Sequence, residues 1–243
     1  MKRRLFLASG LTALTGCGLG NALNESPVHR ILGSAETLDH FVIGTRGAAK
    51  LYRPDDVDRD FRTNGFDPPS DTAYQRMLRD GFSSYRLVVD GEVENKAAFT
   101  LNELRALQSL TQITRHDCVE GWSAIGQWGG VPVGKFLALV RPTPRARYAV
   151  FHCLDRAPDD TPYYESLDLH QAVHPQTLLA LELNGKPLDA AHGAPVRLKV
   201  PTQLGYKSAK WVGRIELAAT FEGIGGGNGG YWEDQGYEWY AGI

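Results

Sequence analysis

Cysteine and methionine are scarce in this chain: three of the former and two of the latter in 243 residues. So few cysteines exclude a disulfide scaffold and a multi-cysteine zinc framework. No Cys-x-x-Cys-His occurs, so haem is not attached through that motif. Charge of one sign is also missing. Lys and Arg number 26 against 28 Asp and Glu, for a net charge of −2, and no basic block marks a nucleic-acid partner. No apolar run reaches the ~18 residues of a membrane span, and neither an internal repeat nor a heptad pattern is present. What remains, 42% hydrophobic and 22% charged, is enough chain for one sizeable core.

The first residues read as an address. Lys2, Arg3 and Arg4 precede the apolar stretch Leu5 to Leu14, the pattern of a signal peptide. Arg3-Arg4 followed by Leu5-Phe6-Leu7 is similar to a twin-arginine export signal, a route for proteins folded around a cofactor. Leu14-Thr15-Gly16-Cys17 resembles a lipoprotein cleavage box that would lipidate Cys17. The expected organisation is a signal peptide over 1–24, a tether and first strand over 25–60, and one domain over 61–243. The expected location is the periplasm, with an optional lipid anchor. Cys118 and Cys153 would then lie in an oxidising compartment, where the plain expectation is a disulfide between them.

Along the chain, Leu38 to Ile43 suggests a strand, and Arg53 to Pro69 an extended loop. Asp71 is placed to cap a helix that stops at Gly81, and Thr100-Leu101-Asn102-Glu103 is a capping box for a helix to about Leu110. Tyr85 to Val89, Ala146 to Cys153, Leu178 to Leu183, Pro195 to Val200 and Trp211 to Ala218 read as strands, and Val133 to Val140 as a helix. Asp155 to Thr161 reads as a polar loop, and Asn184-Gly185 as a hairpin turn. The sum is a strand-rich, mixed α+β domain. Its tail, Gly223 to Gly230, is too glycine-rich for regular structure and leads to a group of aromatics that suits a lid or a docked tail.

Arg115-His116-Asp117-Cys118-Val119-Glu120-Gly121-Trp122 carries the chemistry. A cysteine on a loop after the strand-like run Thr111 to Thr114, beside histidine and arginine, is either a buried structural thiol or a functional thiolate. Two non-redox readings are open. Cys118 is a possible nucleophile with His116 or His152 as base. Alternatively, His116, Cys118, His152 and Cys153 hold zinc in a non-enzymatic lipoprotein module, although their spacing is unlike zinc fingers.

Three separated stretches favour a third reading. Asp117 to Trp122 resembles the molybdenum-binding cysteine loop of the sulfite oxidase family. His192-Gly193-Ala194-Pro195-Val196-Arg197 and Gly205-Tyr206-Lys207-Ser208-Ala209-Lys210-Trp211 are similar, in order and spacing, to its pterin-binding segments. The likeness is greatest to the bacterial periplasmic branch, which includes methionine sulfoxide reductase catalytic subunits. The resemblance implies a molybdenum–molybdopterin cofactor, Cys118 as the protein's metal ligand, and His192, Arg197, Ser208, Ala209 and Lys210 around the pterin and its phosphate. Phe61-Arg62-Thr63-Asn64-Gly65 looks like the segment that touches the pterin near the metal, which adds Thr63 and Asn64. Thr63 stands where sulfite oxidases carry a substrate-binding arginine, an argument against sulfite. Cys153 occupies a position near the cofactor in that branch. Tyr237, five residues after Trp232, matches the spacing of an active-site tyrosine. Glu120 and Glu165 are possible proton carriers or plain solvated carboxylates. The implied activity is oxygen-atom or two-electron transfer on a small sulfoxide-like or other oxyanion substrate. Without haem in the chain, electrons would pass to or from a separate redox protein, a membrane or soluble cytochrome.

Overall fold

The computed structural model describes residues 47–243. The export signal, Cys17 and the strand expected at Leu38 to Ile43 lie outside those residues. The first helix starts where its cap dictates. The Asp71 carboxylate accepts from the backbone N–H of Ala73 and Tyr74, and α1 runs Thr72–Arg79. Gly81, at φ +64°, follows its end. The chain then enters β1 (Arg86–Gly91) and β2 (Ala97–Thr100). Thr100 and Glu103 form the expected reciprocal capping box on α2 (Leu101–Leu107). That helix ends before Leu110 because the chain is drawn into a sheet there, with Ser109 N–H donating to the Gly130 carbonyl.

β3 (Leu110–Cys118) and β4 (Trp122–Pro132) form a hairpin in which Cys118 opposes Trp122. The strand therefore runs through the segment expected to be a loop, and Cys118 is its last residue. Between them lie Val119, Glu120 and Gly121, with Gly121 at φ +85°, a three-residue connection that needs its left-handed position filled by glycine. Next come α3 (Val133–Val140), β5 (Tyr148–Arg156), β6 (Pro162–Asp168), α4 (Leu169–Ala172), β7 (Leu178–Leu183), the short β8 (Lys186–Pro187), β9 (Arg197–Lys199), β10 (Val212–Ala218) and α5 (Tyr231–Asp234). The polar stretch Asp155 to Thr161 is less of a loop than its composition suggests, since β5 continues through Asp155 and Arg156 pairs with Pro162.

Two five-stranded sheets result. The first has the order β2-β1-β10-β5-β6, and the second β3-β4-β7-β8 with β9 also on β7. β1 and β10 are parallel, while every other pair is antiparallel. The alternation of β3 puts Gln112, Thr114, His116 and Cys118 on the buried face. Trp128 and Trp211 are fully buried, each removing enough apolar surface from water to contribute on the order of 2–3 kcal/mol. Residues 200–211 join β9 of one sheet to β10 of the other, which brings this connection against the end of β3.

Candidate active site

A cavity opens at the end of β3. Cys118, Val119 and Glu120 line it from the hairpin, Asn64, Gly65 and Phe66 from the N-terminal side, and Tyr206, Ser208, Ala209 and Lys210 from the β9–β10 connection. Asp155, Tyr163 and Trp232 complete much of its wall. The cavity thus gathers Cys118, Asn64, Ser208, Ala209 and Lys210, which are widely separated in sequence.

Cys118 is a buried free thiol. Burial pushes its pKa up, opposed in part by backbone N–H groups and the Arg197 charge. A thiol so placed stays protonated until something stronger than a neighbouring charge removes the proton, and metal coordination does so outright. Cys153 is also free, so the expected Cys118–Cys153 disulfide is absent. Cys153 is not in the cavity wall. Its Sγ contacts the Phe151 carbonyl at 3.7 Å, and its desolvated thiol is held well above the usual range. Among the described residues no three His, Cys, Asp or Glu side chains cluster as metal ligands, which removes the zinc reading. His152 faces Glu216 at 2.8 Å and Arg214 at 3.2 Å on the other sheet, engaged there rather than acting as base for Cys118.

The positive groups in and beside the cavity wall are unusual. Arg197 is fully buried. Its Nη2 donates to Asn64 Oδ1 at 2.7 Å and its Nη1 to the His192 carbonyl at 3.3 Å, and its Nε has no partner among the described residues. Lys199, two residues on and on the same face, donates to the Arg115 carbonyl at 3.1 Å and lies 3.4 Å from His116 Nδ1. Both cations lie over the ring of Trp128, at 5.2 and 5.5 Å. Lys210 donates to the Phe66 and Ala191 carbonyls and sits 4.0 Å over Trp211. None of the three is ion-paired to a carboxylate among the described residues. Burial lowers all three pKa values, Arg197 to about 10 and, with the Arg197 charge adding to it, Lys199 and Lys210 to about 7.

His192 shapes the site from outside it. Nε2 lies 2.8 Å from the Phe61 carbonyl and Nδ1 2.8 Å from Asp189 Oδ1, so both ring nitrogens are engaged and the ring fastens the segment before Asn64. Ser208 Oγ accepts from Val200 N–H at 3.1 Å, which leaves its hydroxyl proton free to point elsewhere. Thr63 is exposed and outside the lining. Tyr237 is 42% exposed and stands beyond the wall, with its ring 5.4 Å from Tyr206 and 5.2 Å from Trp232.

Two groups escaped the sequence reading. Lys199 lies in an apolar run, and only its alternation with Leu198 marks it as sharing a face with Arg197. Asp155 lies in the last part of β5, past the strand end expected at Cys153. It is buried in the cavity wall, its Oδ1 has no partner among the described residues, and desolvation raises its pKa to about 7 despite Lys210.

A group that fits here must carry negative charge for three unpaired buried cations and accept a soft sulfur ligand. A molybdenum–molybdopterin would satisfy both: the cations would hold its phosphate and Cys118 would hold its metal. Gly205, in the lining, packs directly against the end of β3. A Cβ there would stand 2.5 Å from His116 Nε2.

Comparison with known proteins agrees with this chemistry. Residues 75–222 match the oxidoreductase molybdopterin binding domain. The chain is 38% identical to a candidate protein-methionine-sulfoxide reductase subunit YedZ1 of Azospira oryzae, over 99% of this chain and 87% of that one. It is 35% identical to the protein-methionine-sulfoxide reductase catalytic subunit MsrP of Xanthomonas campestris pv. campestris, over 89% and 69% respectively. In fold it is similar to the sulfane dehydrogenase SoxCD of Paracoccus pantotrophus, with a TM-score of 0.51 and 24% identity over 57% of this chain and 39% of that one. The chain belongs to the oxidoreductase molybdopterin-binding domain family and is a molybdenum-cofactor oxidoreductase.

Proposed function

We propose that this protein is the catalytic subunit of an exported methionine sulfoxide reductase, which takes electrons from a separate redox partner. The observation that carries the substrate is the apolar character of much of the cavity lining. Phe66, Tyr206, Trp232 and Val119 line the cavity with Cys118, and by the resemblance Thr63 stands where sulfite oxidases hold an arginine. An aromatic and aliphatic lining suits a neutral sulfoxide with an apolar side chain. A sulfite dianion would need a cation among those four side chains, and none of them carries one; Lys210 lines the cavity from the β9–β10 connection, and Arg197 and Lys199 are outside the lining. The names of the relatives point to the same substrate class.

The bound cofactor supplies oxygen-atom transfer with a two-electron change at the metal. The chain's own part is binding, orientation and proton supply. Cys118 anchors the metal, while Arg197, Lys199 and Lys210 neutralise and fix the anionic end of the pterin. Reduction of a sulfoxide to a sulfide consumes two electrons and two protons and releases water. Glu120, at the cavity with its Oε2 2.8 Å from Trp122 Nε1, is the carboxylate placed to supply a proton to the departing oxygen, and Tyr237, beyond the wall against Tyr206 and Trp232, would act only through that wall. With no haem motif in the chain, the electrons come from a cytochrome-like partner. Arg3-Arg4 supports export after folding, to the periplasm, with Cys17 as a membrane tether. The test is a dye-linked assay of cofactor-loaded protein against methionine sulfoxide and against sulfite. Turnover of the sulfoxide and none of sulfite is the expected result; sulfite oxidation without sulfoxide reduction would overturn the substrate assignment.

A further inference from the structure

Lys207 differs from the other buried cations in having two carboxylates. Its Nζ lies 2.5 Å from Glu165 Oε1 on β6 and 2.6 Å from Glu233 Oε1 on α5, and all three side chains are at most 1% exposed. Its neighbours in sequence, Tyr206 and Ser208, line the active cavity, so this post stands behind the cavity floor. Two carboxylates around one ammonium leave surplus negative charge in a dry place. Burial, with Glu233 adding to it, raises the pKa of Glu165 well above the carboxylate range. The Oε2 atoms of both glutamates have no partner among the described residues. Such a cluster is poor as a stabiliser and useful for fixing one arrangement over others.

The arrangement it fixes is the C-terminal segment. Gly230, which opens α5, has no room for a side chain, since a Cβ would stand 2.0 Å from Glu233 Oε2 and 2.8 Å from Glu165 Oε1. Asp234 gathers the glycine run by accepting from Gly226 N–H at 2.7 Å, Asn228 N–H at 3.1 Å and Tyr164 Oη at 2.6 Å. Between Glu233 and Tyr231 sits Trp232, the residue of this segment that enters the cavity wall. Its ring stacks on Phe66 at 5.8 Å.

We propose that the buried Glu165–Lys207–Glu233 triad is a clamp that ties the C-terminal segment to the cavity floor, making Glu233 a positioning residue and Trp232 a residue that selects substrate. The substrate part rests on the sulfoxide reading above; the mechanical part does not. The triad touches neither cofactor nor substrate, so its effect runs through the placement of Trp232.

The test compares cofactor-loaded wild type with Glu233→Ala, Glu233→Gln and Trp232→Ala. Glu233→Ala is expected to raise KM for methionine sulfoxide by about tenfold or more, with kcat changed by less than about threefold. Molybdenum content should stay at the wild-type level, and limited proteolysis should cut between residues 223 and 230. Glu233→Gln, which keeps an oxygen for Lys207, is expected to restore both KM and protease resistance. Trp232→Ala should raise KM alone and leave the segment protected. Should Glu233→Ala fail to fold, Glu233→Gln with Trp232→Ala still decides. A protease-sensitive Glu233→Gln, or a Trp232→Ala with wild-type KM, overturns the proposal. So does a Glu233→Ala that matches wild type in both readouts. Protease sensitivity is read without substrate, so failure of the clamp is distinct from failure of the sulfoxide assignment.

Discussion

Arg197 and Asn64, 133 positions apart, are joined by a hydrogen bond from Nη2 to Oδ1 at 2.7 Å. The bond aims a buried guanidinium at the back of the cavity without neutralising it, because a neutral amide supplies the acceptor. Replacing Arg197 with Ala is expected to lower the molybdenum-to-protein ratio by about tenfold or more, since a charge-assisted anchor for the cofactor phosphate is lost. Arg197→Lys should recover only part of it, because an ammonium cannot reproduce the planar fork. Metal analysis of purified protein decides, and unchanged molybdenum in Arg197→Ala would show the residue to be misassigned.

Lys199 ties stability to pH. Its folded pKa is about 7 against 10.5 ordinarily. Below about pH 7 the lysine is charged both folded and unfolded, and the burial cost is constant. Between about pH 7 and 10.5 the unfolded chain binds the proton and the folded chain does not, so this group's contribution to stability rises with pH. In cofactor-free protein, Lys199→Met should therefore be most stabilising at or below pH 7, with the gain shrinking toward pH 9. Urea unfolding of both proteins at the two pH values measures it. A gain independent of pH would mean that Lys199 is not desolvated as described.

Gly205 tests the packing under the cofactor loop. A Cβ at this position would stand 2.5 Å from Nε2 of the buried His116. Gly205→Ala is expected to cost about 1–3 kcal/mol and to lower cofactor retention along with it. Thermal unfolding and metal content report the two effects; a variant unchanged in both would refute the close contact.

Much of this fold follows from local signals that tertiary packing leaves alone. Asp71 and the Thr100–Glu103 box cap helices where expected, and Leu178 to Leu183 with Asn184-Gly185 is a strand and turn within its predicted bounds. β4 was not legible, because Gly126, Gly129 and Gly130 interrupt its alternation. Those glycines answer to long-range neighbours: a Cβ on Gly130 would lie 2.1 Å from the Leu179 carbonyl oxygen, and one on Gly126 3.0 Å from the Phe61 ring. Of the candidate site, Cys118, Asn64, Ser208, Ala209 and Lys210 were nameable from motif order and do meet at one cavity. Asp155 was hidden because a charged residue at a strand end looks like loop. The Glu165–Lys207–Glu233 triad was hidden because nothing local joins residues so far apart.

Cys118→Ser should abolish turnover while leaving thermal stability within about 1 kcal/mol of wild type, a near-isosteric change at a strand end. Circular dichroism with the dye-linked assay checks both halves. Retained activity would remove the sulfur from the chemistry.

Molybdenum X-ray absorption on cofactor-loaded wild type and Cys118→Ser gives the most direct reading of the centre. The account predicts molybdenum bound in the wild type, with a metal–sulfur shell that loses one sulfur in the variant. Identical sulfur shells in the two proteins, or matured wild type that carries no molybdenum, would contradict it.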